Sequence, residues 1–185
     1  MIRREWLRYY DKAPERTDRA KVVQSWDTAA KDGAQNDWSV CTTWLLVDEY
    51  FYLLDLNRGR FEYPLLRDTA ISLAKRFKPD VILIEDASTG IALAQELGEV
   101  HGSIIEPIPV HRDKIGRLYV HQAEFAAGRV LFPKGASFLS ELETELLTFP
   151  QEKTDDMVDS ITQALSYEPL GYDISMQWVT GPDRA

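Results

Sequence analysis

The run Val81-Ile82-Leu83-Ile84 is short, wholly apolar and ends in an acid, Glu85. A strand of that kind has no polar side to turn to water, so it must be covered on both faces, in a sheet with helices packed on either side. Its flanks agree. Upstream, Leu65, Leu66, Thr69, Ala70, Leu73, Ala74 and Phe77 recur at helical spacing and stop near Pro79. Downstream, the loop Asp86, Ala87, Ser88, Thr89, Gly90 leads to a helix from about Ile91 to Leu97 and a strand around Ile104 to Ile108. The spacing predicts a β-α-β unit.

Ahead of that unit the pattern is different. Val22 to Trp26 reads as a short strand closed by Asp27, followed by a polar loop, Lys31 to Asp37. Trp38 to Val47 and Tyr50 to Leu56 are rich in β-branched and aromatic residues, with Asp48 and Glu49 as a two-residue turn between them. Beyond the unit come a helix Ile115 to Ala127, a strand Val130 to Phe132, a helix Phe138 to Leu147 and a last helix Asp155 to Tyr167. Hairpins first and alternation afterwards predict an α/β fold. Its mixed central sheet has three antiparallel strands, then parallel ones, with helices on both faces. At 185 residues, 44% of them apolar, the chain supplies one core. Residues 1–20, where Arg3, Arg4, Trp6, Tyr9 and Tyr10 precede Pro14, read as an arm; 21–170 as the domain; 171–185 as a tail. No apolar run approaches the roughly 20 residues that cross a bilayer, and the N-terminus lacks a signal-peptide core, so an intracellular protein without a membrane partner is expected. The lone cysteine, Cys41, excludes an internal disulfide and reads as a small buried hydrophobe.

The chemistry lies in the acids. Asp27 closes the first strand and Glu85 the fourth, and ligand sites in open α/β sheets collect at the carboxyl ends of strands. If those strands pair in parallel, the two carboxylates are neighbours; charges so near a core are costly unless compensated, and a cation is the simplest compensator. A third source is the last helix, with Asp155, Asp156 and Asp159; Asp156 and Asp159 are three apart and share a face. Each acid has a plainer explanation. Thr154 or Asp155 can cap that helix, with first-turn acids favoured by its dipole, although Asp159 lies past that turn. Asp27 alone could be a strand-end turn residue, and Glu85 a surface acid. Oxygen ligands without His or Cys select Mg2+ or Mn2+, and two such ions about 3.5 to 4 Å apart form a clamp for phosphodiester hydrolysis. His101, His111 and His121 are scattered without ligand spacing and read as structural or exposed. The net charge of −9 opposes a nucleic-acid partner unless acids gather in a metal pocket and bases form a local stripe, so weak DNA affinity is expected.

Four segments carry a resemblance: Val23-Gln24-Ser25-Trp26-Asp27-Thr28-Ala29, Ile84-Glu85-Asp86-Ala87-Ser88-Thr89-Gly90, Ala127-Gly128-Arg129-Val130-Leu131-Phe132-Pro133, and Phe149-Pro150 followed by Asp155-Asp156-Met157-Val158-Asp159-Ser160. Together they resemble the C-terminal nuclease domain of tailed-phage terminase large subunits, from about Trp6 to Tyr167. The resemblance implies a ribonuclease H-like endonuclease that cuts concatemeric double-stranded viral DNA at the start and end of capsid packaging, in the cytoplasm of the bacterial host. By motif match, Asp27, Glu85 and Asp156 are the catalytic, metal-binding acids for two Mg2+ or Mn2+ ions, and Asp155 and Asp159 are their neighbours. Family members differ in which acid of the last motif binds metal. Asp37 also occupies a recurrent acid position, and Lys114 and Arg117 resemble a basic segment that touches DNA phosphates. The implied partners are the portal protein, the small terminase subunit and an N-terminal packaging ATPase of the same polypeptide. This sequence contains no G-x-x-x-x-G-K-[ST], so ATP-driven translocation is not expected of it, and the segment before Val22 reads as a linker stub. Two alternatives stand beside this: a non-catalytic DNA-clamp or portal-docking module, and a fragment of an actin-like or sugar-kinase ATPase. The latter is weakened because Gly33 is the only glycine between Asp27 and Gly59.

Overall fold

Antiparallel pairing joins β2 (Lys21–Asp27), β3 (Ser39–Val47) and β4 (Tyr50–Gly59), as the hairpin pattern predicts. Val47 pairs with Tyr50 across the expected turn, where Asp48 adopts φ 53°, a left-handed conformation that aspartate tolerates better than most side chains. The computed structural model describes residues 1–29, 38–86, 88–100, 103–110, 113–151 and 154–167. Asp37, His101 and His111 lie outside them.

After β4 come α1 (Tyr63–Phe77), β5 (Val81–Glu85), α2 (Ser88–Val100) and β6 (Ile104–Ile108). They are followed by α3 (Lys114–Val120), α4 (Gln122–Ala126), β7 (Val130–Pro133), α5 (Leu139–Thr148) and α6 (Asp156–Leu165). With β1 (Arg8–Tyr10), the strands form one sheet in the order β1-β7-β4-β3-β2-β5-β6. Strand β5 runs parallel to β2, with Val23 opposite Val81 and Trp26 opposite Ile84, so Asp27 and Glu85 leave the sheet at the same end.

Both faces are covered, which is why Val81 to Ile84 carries no polar residue. Val81 and Leu83 pack with Val23, Trp44 and Leu53 against α3 to α6, while Ile82 and Ile84 pack with Trp26 and Cys41 against α1 and α2. Cys41 is buried, as expected. Gly90, in the first turn of α2, meets the backbone of β5 so closely that an added Cβ would stand 2.1 Å from the Glu85 carbonyl oxygen. Only glycine lets that helix start so tightly against the strand end that carries Glu85.

Helix α6 crosses β2 and β3 through a polar seam. Ser25 Oγ donates to the Ser160 carbonyl at 2.7 Å, Ser160 Oγ donates to the Ser25 carbonyl at 2.8 Å, and Thr42 Oγ1 shares a hydrogen bond of 2.8 Å with Ser160 Oγ. Gln163 Nε2 donates to the Trp26 carbonyl at 3.2 Å. These bonds are specific in register where purely apolar packing would slide, and they hold the acidic start of α6 near Asp27 at the end of β2.

The structure adds detail to three local readings. The helix predicted over Ile115 to Ala127 is two helices, broken at His121 (φ −85°, ψ 2°), whose buried ring shares a 2.9 Å hydrogen bond with Ser166 just past α6. Periodicity could not reveal the break, because Leu118 and Phe125 both remain core residues at helical spacing. Neither Thr154 nor Asp155 caps α6: Asp155 occupies the cap position but makes no capping bond. The segment read as an arm contributes an edge strand, β1, parallel to β7. Ile2 and Leu7 are buried beneath it, and Tyr10 Oη donates to the Leu53 carbonyl at 2.6 Å. Burial of two aliphatic side chains contributes about 1.5 to 3 kcal/mol each, so deleting residues 1–10 is expected to lower unfolding free energy by about 3 kcal/mol or more. Urea denaturation would measure it. An unchanged midpoint would mean that β1 is peripheral to stability.

Candidate metal centre

At the shared end of β2 and β5, Asp27 is only partly exposed and its carboxyl is pushed well above its ordinary 3.8. Burial is the main cause, followed by the negative charges of Asp159, Glu85 and Asp156, with Lys114 offsetting part of the effect. Sequence-distant acids on two strands and one helix therefore act on one another, as the parallel pairing of their strands requires. Glu85 is half-buried at the close of β5. Asp156 and Asp159 open α6, and burial raises both above the ordinary carboxylate range, against the pull of Arg58 on the first and of Lys114 and Arg117 on the second.

Basic residues from two elements meet these acids. Lys114 Nζ bridges Asp155 Oδ1 at 2.9 Å and Asp159 Oδ2 at 2.5 Å, and Arg117 Nη2 donates to Asp159 Oδ1 at 2.6 Å. Burial alone would depress the Lys114 ammonium, yet its hydrogen bonds to Asp159 and Asp155 outweigh burial and hold it above the lysine range. Arg58, at the end of β4, stands 3.7 Å from Asp156 Oδ2. Among the described residues no three Asp, Glu, His or Cys side chains form a ready-made metal cage. Asp155 and Asp159 are instead paired with Lys114 and Arg117. Lys114 and Arg117, singled out as DNA contacts, are thus internal counter-ions in this state. His121 is committed to Ser166 and depressed by burial, and it adds no nitrogen donor.

Two contributors escape local sequence analysis. Glu145 of α5 is 3% exposed, and its Oε1 accepts the backbone N–H groups of Met157 (2.8 Å) and Val158 (3.0 Å), doing from a distance the capping that Thr154 or Asp155 could have supplied. A signal existed: Leu142, Glu145 and Leu146 share the buried stripe of α5, and a carboxylate on an apolar stripe needs a partner. Arg58 offered none, since its partners Trp38, Glu141, Glu145 and Asp156 come from three other parts of the chain.

The mixed sheet, with acids at the carboxyl ends of adjacent parallel strands and on a crossing helix, defines a ribonuclease H-like domain. The terminase RNaseH-like domain family model matches residues 24–168, and the chain belongs to that family. Solved structures agree in fold. The large terminase nuclease of thermophilic phage G20c with bound zinc superposes with a TM-score of 0.62 at 19% identity, covering 89% of this chain and 96% of that one; the same nuclease has been solved with cobalt and with magnesium. The human cytomegalovirus terminase nuclease domain, Mn soaked, gives 0.63 at 12% identity over 89% of this chain and 93% of that chain. The large terminase of a second thermophilic bacteriophage gives 0.62 at 12% identity over 85% of this chain and 42% of that one. No curated protein sequence matches the chain. No helix among the described residues is long and apolar enough to cross a membrane.

Proposed function

We propose that this chain is a divalent-cation-dependent endodeoxyribonuclease domain of a phage terminase large subunit, hydrolysing phosphodiester bonds of double-stranded viral DNA. The observation that carries the reading is the meeting of Asp27 and Glu85, at the ends of adjacent parallel strands, with Asp156 and Asp159 in the first turn of α6, whose charges act on a buried Asp27. Carboxylates gathered at the edge of a core stay ionised at low cost only beside cations, and an oxygen-only donor set favours Mg2+ or Mn2+. The metals bound to the G20c domain and the manganese soaked into the cytomegalovirus domain support the same ion class here.

Asp27, Glu85 and Asp156 would hold two ions, with Asp155 and Asp159 as further oxygen donors. Bound there, the ions supply water activation and stabilisation of the leaving oxygen in an in-line displacement. The chain itself contributes position and charge. Strand ends hold Asp27 and Glu85, and α6 brings Asp156 and Asp159 toward Asp27. Lys114 and Arg117 neutralise Asp155 and Asp159 while no DNA is engaged, and they are free to turn to DNA phosphates when other positive charge satisfies those acids. One pair of side chains thereby serves as counter-ion and then as DNA contact. The large terminase of the second thermophilic bacteriophage, less than half of which aligns here, has been solved in complex with ADP, which supports a packaging ATPase as partner in the same polypeptide. The portal protein and the small terminase subunit complete the proposed assembly, in the host cytoplasm.

Incubating supercoiled plasmid with the purified chain tests the activity. Nicked and linear products are expected with Mn2+ or Mg2+ and none with EDTA. A folded protein that cuts under neither cation would defeat the proposal and favour a non-catalytic docking module.

A further inference from the structure

The start of α6 carries Asp156 and Asp159, yet no residue of its own caps it. Its free N–H groups at Met157 and Val158 are taken by one oxygen of Glu145, 12 and 13 residues upstream on α5. The other oxygen, Oε2, has no hydrogen-bond partner and faces Arg58 Nη2 at 4.0 Å. That guanidinium is itself nearly enclosed, with its side chain 9% exposed: it lies over the Trp38 ring at 4.3 Å, pairs with Glu141, and reaches Asp156 at 3.7 Å. Arg60 stacks on the same ring at 4.4 Å. The charges thus run Arg58 to Glu145 to the α6 N-terminus, and Arg58 to Asp156, tying β4, α5 and α6 together.

We infer that Glu145, held by Arg58, is a positioning residue that sets where the first turn of α6, and with it Asp156 and Asp159, stands relative to Asp27. The inference rests on the nuclease reading above. Three observations carry it. A helix end capped by its own Asp155 would commit that carboxylate to its backbone, whereas the remote cap leaves Asp155 to pair with a cationic group, here Lys114. A buried carboxylate is costly, and this one lies where two backbone donors and a guanidinium converge, so its burial has a local purpose. Cation ligands must also be held within about 0.5 Å, and groups that hold ligands without touching the ion typically change metal affinity by roughly 10- to 100-fold when removed.

The test uses the full chain and Mn2+ itself, with binding read by electron paramagnetic resonance and amide exchange followed at Met157 and Val158. Glu145→Ala is expected to weaken Mn2+ binding about 10- to 100-fold and to speed exchange at both amides. Glu145→Gln, which keeps an acceptor oxygen, should restore slow exchange and most of the affinity. Asp80→Asn, altering a carboxylate that accepts the Val22 N–H at 2.7 Å at the opposite end of the sheet, controls for stability loss and should leave Mn2+ affinity unchanged. Wild-type affinity in folded Glu145→Ala would overturn the inference, as would an equal loss in Asp80→Asn. If Glu145→Ala does not fold, Glu145→Gln decides: slow exchange with near-normal binding supports the clamp, and fast exchange with normal binding refutes it. Wild-type protein that binds no Mn2+ would instead refute the nuclease reading, and the inference with it.

Discussion

Asp27→Asn is expected to lower cation-dependent plasmid cutting by roughly 10³-fold or more, about 4 kcal/mol of barrier at 1.36 kcal/mol per decade. The substitution keeps the side chain's shape and removes its charge. Its place at the end of β2 is held by neighbours that the change does not touch: Trp26, fully buried, with its carbonyl accepting from Gln163, and Val40 opposite Asp27 on β3. Folding should therefore survive while a central oxygen donor of the cluster is lost. The comparison is of initial cutting rates for wild type and variant at saturating Mn2+, with circular dichroism to confirm the fold. A folded Asp27→Asn protein that cuts at the wild-type rate would remove Asp27 from the site.

The same substitution should have the opposite effect on stability when no divalent cation is present. The Asp27 carboxyl is raised well above its ordinary 3.8 by burial and by Asp159, Glu85 and Asp156. Between its unfolded and folded values the native state therefore binds more protons than the unfolded chain. Stability falls as pH rises through that window, and the penalty is complete once Asp27 is ionised in the fold. In EDTA at neutral pH, Asp27→Asn should be the more stable protein, by about 1 kcal/mol on the scale of stabilising substitutions, with the gap closing as pH falls toward 4. Asp156 is shifted in the same direction, so the wild type should also gain from mild acidification. Mn2+ at about 100 times its dissociation constant should stabilise the wild type by roughly 2.7 kcal/mol, or about 5 to 10 °C in Tm for a domain of this size, and the variant far less. Thermal unfolding at several pH values, with EDTA or Mn2+, reads all of this. Equal melting temperatures for the two proteins across those conditions would mean that Asp27 carries no electrostatic burden and meets no cation.

These expectations combine what is local in the chain with what is not. Strand β5 was legible because four apolar residues in a row can only be buried on both sides, and the β3–β4 hairpin because β-branched and aromatic richness and a two-residue acidic turn are local features. Asp27 and Glu85 were legible as strand-end acids, and their adjacency followed from parallel pairing of β2 with β5. The break at His121 was hidden because the buried positions on either side keep helical spacing across it. The role of residues 8–10 was hidden too: three residues carry little pattern, and their partner, β7, lies more than a hundred positions away.

The sequence by itself determined the layered α/β architecture and the chemistry of the candidate site, because hydrophobic periodicity and residue type are written position by position. Only the tertiary structure decided how charge is distributed there. It set Lys114 and Arg117 against Asp155 and Asp159, Arg58 beside Asp156, and Glu145 on the first turn of α6. Each of those contacts joins side chains from different elements. Coulomb and hydrogen-bond energies depend on distance in space, and no spacing along the chain encodes that distance until the sheet and helices have packed.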